Sequence, residues 1–288
     1  MITIMGKKKG KAASVQVGGT TSGTSAAHET MGMSRTSGSS GASGTSAASA
    51  VPVTSAVAGI ALPSWNMWQA VFVLLLFNLG LIVLGWNDSA ADLSSHEVFF
   101  GYIFAQGGKF VLGIGLVWVG LLFVKGSWEQ LGVGRFRLRH LLIGLVAGVG
   151  LAAVVTASMN LLAWLVNEPD LQPVALALLS LRSPWQIVLL ALCSVVLAPM
   201  LEELLFRGML YPPLRVICGP WLAVCLVALI FAAFHFDLLR FVPLFLGAVG
   251  LTLLLEKTGS LWPGIVAHSV WNLIMVVVVL FQGRGGGV

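Results

Sequence analysis

Residues 185–211, WQIVLLALCSVVLAPMLEELLFRGMLY, form a run long and apolar enough to cross a bilayer, yet Glu202, Glu203 and Arg207 lie inside it. About 20 predominantly apolar residues suffice for a span, and ionisable groups within one are costly enough to mark a functional site. On a helix Glu203 and Arg207 are four apart and share a face, with the acid on the N-terminal side, the better orientation. Glu202 is rotated about 100° away. It has no local partner, which leaves it available for chemistry.

Outward from this stretch the chain keeps the same character. With 57% hydrophobic and 9% charged residues and a mean hydropathy of +0.94, it is too apolar for a soluble globular protein and reads as an all-α, polytopic transmembrane helix bundle. Spans are expected near 66–86, 98–124, 139–166, 185–211, 220–237, 240–256 and 263–281, with a short apolar helix at 171–181. Seven spans is the count, with six and eight as the alternatives. Lys125, Arg135, Arg137 and Arg139 follow the second span and Arg215 the fourth, whereas Asp88, Asp92 and Glu97 precede the second. By the positive-inside rule the N-terminal tail and the 125–139 and 212–219 loops are expected in the cytoplasm. Asn167 to Asp170 and Asp237 then face outward.

The net charge of +5 does not imply a nucleic-acid partner. Lys7, Lys8, Lys9, Lys11 and Arg35 against Glu29 put +4 of it in the first 60 residues, which leaves +1 for the rest of the chain. Residues 1–62 are rich in Ser, Thr, Gly and Ala, with SGTSAA at 22–27 and again at 43–48. Such a segment has too little bulky apolar surface to offset its ordering entropy and is expected to be a disordered tail. Without an apolar h-region it does not read as a signal peptide; a start placed too far upstream of Met31 or Met33 would look the same. Residues 63–140 read as N-terminal transmembrane helices and 141–288 as the functional membrane domain. Cys193, Cys218 and Cys225 show no metal or redox spacing and are expected to be packed free thiols.

Two more polar clusters interrupt apolar helices: Phe231-Ala-Ala-Phe-His235 and His268-Ser-Val-Trp-Asn272. Four-residue spacing puts His268 and Asn272 on one face, and puts Phe231 one turn before His235, where its ring can pack. Taken singly, an intramembrane histidine is more often a hydrogen-bonded packing residue, and Asn78 and Asn160 read as links between helices. Trp65, Trp68 and Trp86 read as interface anchors. Two histidines, two carboxylates, an arginine and an asparagine on three helices in the last third of the chain are not explained as scattered packing. At 1.5 Å per residue, however, Glu202 falls roughly 13 Å from the end of its span, His268 roughly 8 Å into the seventh and His235 roughly 22 Å into the fifth. Tilt, a dipping connection after Tyr211-Pro212-Pro213, or a late start to the fifth span would bring these levels together.

In order along the chain, Glu202-Glu203-x-x-x-Arg207, Phe231-x-x-x-His235 and His268-x-x-x-Asn272 resemble the CAAX protease and bacteriocin-processing (CPBP, or Abi) family, over about residues 185–281. The resemblance implies an intramembrane endopeptidase acting near the end of a membrane-anchored peptide or protein. On that resemblance Glu202 activates water and His235 positions it, while His268 and Asn272 stabilise the oxyanion. Glu203 and Arg207 then hold the first motif in shape, with Phe231 supporting His235. It also implies a multi-pass protein of the kind found in a bacterial inner membrane. No cofactor is expected, although zinc is the alternative. Two histidines and a glutamate (His235, His268, Glu202) match the composition of a catalytic zinc site, but no His-Glu-x-x-His pair is present. Two other functions stay open: a non-catalytic membrane partner on the same fold, and a proton-coupled transporter, against which the lack of an inverted repeat counts.

Overall fold

The structure, a computed structural model, describes residues 60–86, 92–166 and 173–285. Most of the N-terminal tail, Asp88 and the 167–170 segment, to which the sequence assigns disorder or an outward face, lie outside the described residues. Among those described, all regular structure is helical. The helices are α1 (Met67–Val83), α2 (His96–Phe123), α3 (Leu138–Val166), α4 (Pro173–Ser180), α5 (Pro184–Cys218), α6 (Pro220–Ala233), α7 (Phe241–Thr258) and α8 (Leu261–Gly285).

Five of these, α2, α3, α5, α7 and α8, are long and apolar enough to cross a membrane. Helix α1, at 17 residues, and α6, at 14, are apolar but shorter. At 1.5 Å per residue they reach about 26 and 21 Å, less than the ~30 Å of a hydrocarbon core. The seven expected segments therefore exist as helices, while only five meet the dimensions of a span.

Polarity is inverted relative to a soluble protein. Phe72, Phe104, Val111, Trp164 and Trp221 point outward, while Lys109, Gln186, Glu203, Arg207, Thr252 and His268 are buried. An apolar exterior around a polar interior is what a bilayer demands of a helix bundle. Small residues bring the helices close: a Cβ on Gly144 or Gly148 of α3 would lie 2.5 or 2.6 Å from the Cβ of Val266 or Val270 of α8. This GxxxG face lets the two backbones meet directly. Helix α7 receives Trp271 of α8 over Gly247 in the same way.

Some local expectations change. Trp65 is 3% exposed and donates its Nε1–H to the Met209 carbonyl at 2.8 Å, so it pins the chain before α1 to α5 and is not an interface anchor. Trp68 is exposed as an anchor would be. Asn78 donates to Leu74 of its own helix at 2.8 Å, and Asn160 is exposed, so neither links helices. Cys193 is buried, whereas Cys225 lies on the outer face of α6.

Candidate active site

Helix α5 carries the first motif, and its backbone is not regular. Cys193–Leu197 and Glu203–Leu210 are π-helical, separated by the α-helical turn Ala198–Glu202. Pro199 explains the first irregularity. It has no N–H to donate, and the Ala198 N–H reaches back five residues to the Cys193 carbonyl. The Ser194 carbonyl, whose helical donor would be the N–H of residue 198 or 199, receives neither. Asn272 of α8 supplies the missing donor, its Nδ2 lying 2.8 Å from that oxygen. A proline on one helix thus creates the acceptor that fixes an asparagine on another. Single-turn π segments often accompany functional sites.

The second π segment buries all eight of its residues. Glu203 and Arg207 are both 0% exposed, and Nη1 of Arg207 donates to Oε1 of Glu203 at 3.0 Å. The remaining guanidinium edges are satisfied from α7: Nη2 donates to the Ala248 carbonyl at 3.1 Å and Nε to the Thr252 hydroxyl at 3.3 Å, while that hydroxyl donates to Ala248 at 2.8 Å. The guanidinium carbon lies 4.5 Å from the centroid of Phe231, a cation–π contact. A buried ion pair is tolerable only with this degree of satisfaction.

His268 of α8 stands between the two glutamates. Its Nδ1 lies 3.1 Å from Oε1 of Glu203 and its Nε2 lies 3.8 Å from Oε2 of Glu202. A carboxylate already paired to Arg207 only accepts hydrogen bonds, so Nδ1 carries a hydrogen. The ring stacks on Trp271, centroids 5.3 Å apart, and meets Phe231 edge-on at 6.1 Å. Oε2 of Glu203 is buried with no hydrogen-bond donor among the described residues and lies against Gly264, where a Cβ would come within 3.0 Å. The Glu202 side chain is 29% exposed. The two adjacent acids therefore have different surroundings: Glu203 is enclosed and paired, and Glu202 is open.

His235 is placed differently from the helical position the sequence suggests. Helix α6 ends at Ala233, and His235 occupies the following turn, exposed, beside Phe236 at φ 51°. Its Nδ1 lies 2.8 Å from the Phe231 carbonyl. A carbonyl can only accept, so Nδ1 is the donor. The Phe231 and His235 rings are 4.8 Å apart, as the four-residue spacing suggests. His235 makes no hydrogen bond or ion pair with Glu202. What joins it to the other polar groups is Phe231, whose ring contacts Arg207, His235 and His268 together.

Thr252, Trp271 and the Ser194 carbonyl also take part, and no sequence motif marks them. Glu256 carried a signal, as an acid in the sixth apolar segment. It accepts from Arg215 through both oxygens, at 2.7 and 2.8 Å, and from the Tyr211 hydroxyl at 2.5 Å, tying the end of α5 to α7. Among the described residues no three His, Cys, Asp or Glu side chains are arranged to hold a metal ion.

The fold and site together define a helical membrane protein in which Glu203 and Arg207 of α5 meet His268 of α8 in one buried cluster. Residues 184–274, the segment that carries all three motifs, match the family model described as type II CAAX prenyl endopeptidase Rce1-like. The resemblance carried by the three motifs therefore holds for that segment. No curated protein and no solved structure gives a significant match to the chain.

Proposed function

We propose that the protein is a CAAX-type intramembrane endopeptidase hydrolysing a peptide bond near the end of a membrane-anchored peptide or protein. The observation that carries this reading is His268 held between a buried, paired glutamate at 3.1 Å and an open one at 3.8 Å. Glu202 takes a proton from water, and the resulting hydroxide attacks the scissile carbonyl. The lone pair on Nε2 of His235 accepts a hydrogen bond from the same water and orients it. His268 faces a carboxylate from each ring nitrogen, which places Nε2 where a hydrogen on it donates to the oxyanion. Asn272 uses one of its two amide hydrogens on Ser194 and offers the other. The proton held by Glu202 passes to the leaving amine. Preorganised donors in a dry site act most strongly, and the Arg207–Glu203 pair supplies that rigidity by fixing His268 rather than by touching substrate.

Glu202 serves as the base directly, with no step routed through a metal. The test is cleavage of a lipidated peptide in proteoliposomes by the wild-type protein, by Glu202→Ala and by His235→Ala. Loss of cutting in both variants at unchanged expression supports the reading, and full activity in both overturns it.

A further inference from the structure

Helix α7 carries none of the three motifs, yet it reaches His268 along two routes. Its buried residues Gly247, Ala248, Leu251 and Thr252 form two neighbouring rows of residues four apart, each row a strip of one helix face. The row of Ala248 and Thr252 holds Arg207, through the Ala248 carbonyl at 3.1 Å and the Thr252 hydroxyl at 3.3 Å. Arg207 in turn holds the Glu203 carboxylate that lies 3.1 Å from Nδ1 of His268. The row of Gly247 and Leu251 receives Trp271. Trp271 is buried, follows His268 by three residues on α8, and stacks on its ring with centroids 5.3 Å and planes 25° apart. The far edge of this indole occupies the space that a side chain at 247 would fill. A Cβ there would lie 2.7 Å from Cη2 and 2.8 Å from Cζ3 of Trp271, and 3.2 Å from Cγ2 of Val155 on α3. A methyl group would thus be confined between α3 and the indole. Interiors packed this densely pass a displacement on to the next group, and the next group is the imidazole.

We propose that Gly247 and Trp271 are positioning residues for the hydrolysis: the missing side chain at 247 sets the depth of the indole, and the indole sets the plane of the His268 ring against the two glutamates. The inference rests on the endopeptidase reading. The terminal torsion of a histidine is broad, so its ring plane has to be fixed by neighbours. A hydrogen bond at Nδ1 fixes one point of the imidazole and leaves its tilt open; a stacked indole closes that freedom. Tilting the ring moves Nε2, the atom that lies 3.8 Å from Glu202, and a misplacement of about 1 Å can cost on the order of 10²-fold in rate. A helix interior disfavours glycine relative to alanine, so the backbone of α7 gives no reason for glycine at 247, whereas the indole does.

Turnover of a lipidated peptide by G247A, W271F, W271L and the G247A/W271F double variant tests this. G247A should lower kcat by about 10–100-fold and leave KM unchanged. W271F keeps a ring on His268 and removes the atoms that meet position 247, so G247A/W271F should recover most of the kcat that G247A loses. W271L, which has no ring, should be slower than W271F. Wild-type kcat in G247A, a double variant no faster than G247A, or equal kcat in W271F and W271L overturns the inference. Should G247A not fold, the comparison of W271F with W271L still decides. The ring-proton resonances of His268, identified by their loss in H268Q, give a readout that needs no cleavage, because a stacked indole shifts them upfield. They should move in G247A and lose the upfield shift in W271L; resonances unmoved in both overturn the inference. Those movements without cleavage by wild type remove the protease and keep the indole's hold on His268. Cleavage by wild type that G247A and W271L leave undiminished keeps the protease and removes the positioning role.

Discussion

Glu202 and His268 face each other across 3.8 Å, too far for a hydrogen bond and close enough for each to feel the other's charge. His268 is meanwhile within 3.1 Å of Glu203. One histidine is thus anchored on one side and exposed to reaction on the other, which gives the two glutamates separable jobs. Glu202→Gln should lower kcat by about 10²–10⁴-fold, the usual contribution of a general base, with little change in melting temperature. Glu203→Gln should lower stability, because it leaves Arg207 buried and uncompensated; breaking such a pair costs about 3–5 kcal/mol. Thermal unfolding in detergent beside turnover distinguishes the two. If both variants melt like wild type, the division of labour is wrong.

Phe231 is the common neighbour of Arg207, His235 and His268. Phe231→Ala should destabilise by about 3–5 kcal/mol, as large-to-small changes of buried aromatics do. Phe231→Leu keeps most of the volume and loses the ring, so it should cost only about 0.5–2 kcal/mol from the cation–π contact while still impairing turnover. A leucine variant with undiminished activity would show that the ring itself has no part in placing His235.

Asn272 and Pro199 should be coupled although they are on different helices. Pro199→Ala restores an N–H that can reach the Ser194 carbonyl, so Asn272→Leu should cost less stability in that background than in wild type. A double-mutant cycle reads this directly; partners of this kind show coupling of about 0.5–3 kcal/mol. Strict additivity would mean that the carbonyl finds its donor in another way.

Chelation addresses the metal question. Cleavage should persist after dialysis against a strong chelator, and added zinc should not raise it. Proportional loss and zinc-dependent recovery would instead make Glu202, His235 and His268 ligands, since affinity for metal depends on such deprotonated groups.

The helices were legible because long apolar runs broken by charge leave few other folds, and the Glu203–Arg207 pair was legible because both residues lie on one turn. The pairing of His268 with Glu203 was not, since residues 65 apart meet only through packing of α8 on α5. Trp65 reads like any tryptophan at the start of a span, and only the fold shows its indole donating to Met209. Helix α6 was overestimated because Phe234 and Phe236 continue its apolar run past Ala233, and hydropathy does not reveal the positive φ at Phe236. The π-helical turns are a backbone choice that Pro199 hints at without fixing.

Hydrolysis inside a bilayer needs a supply of water, and the shortness of α6 bears on this. A helix of 14 residues falls roughly 9 Å short of the hydrocarbon thickness, and a short span draws the membrane thin around itself. Its end carries His235, with Phe236 and Leu238 almost wholly exposed. A lipid surface that dips to meet that turn would bring the aqueous phase down toward the imidazole. Thickness of the host bilayer then becomes a control on hydration of the site: activity should fall in longer-chain lipids and rise in shorter ones, without any change in the protein.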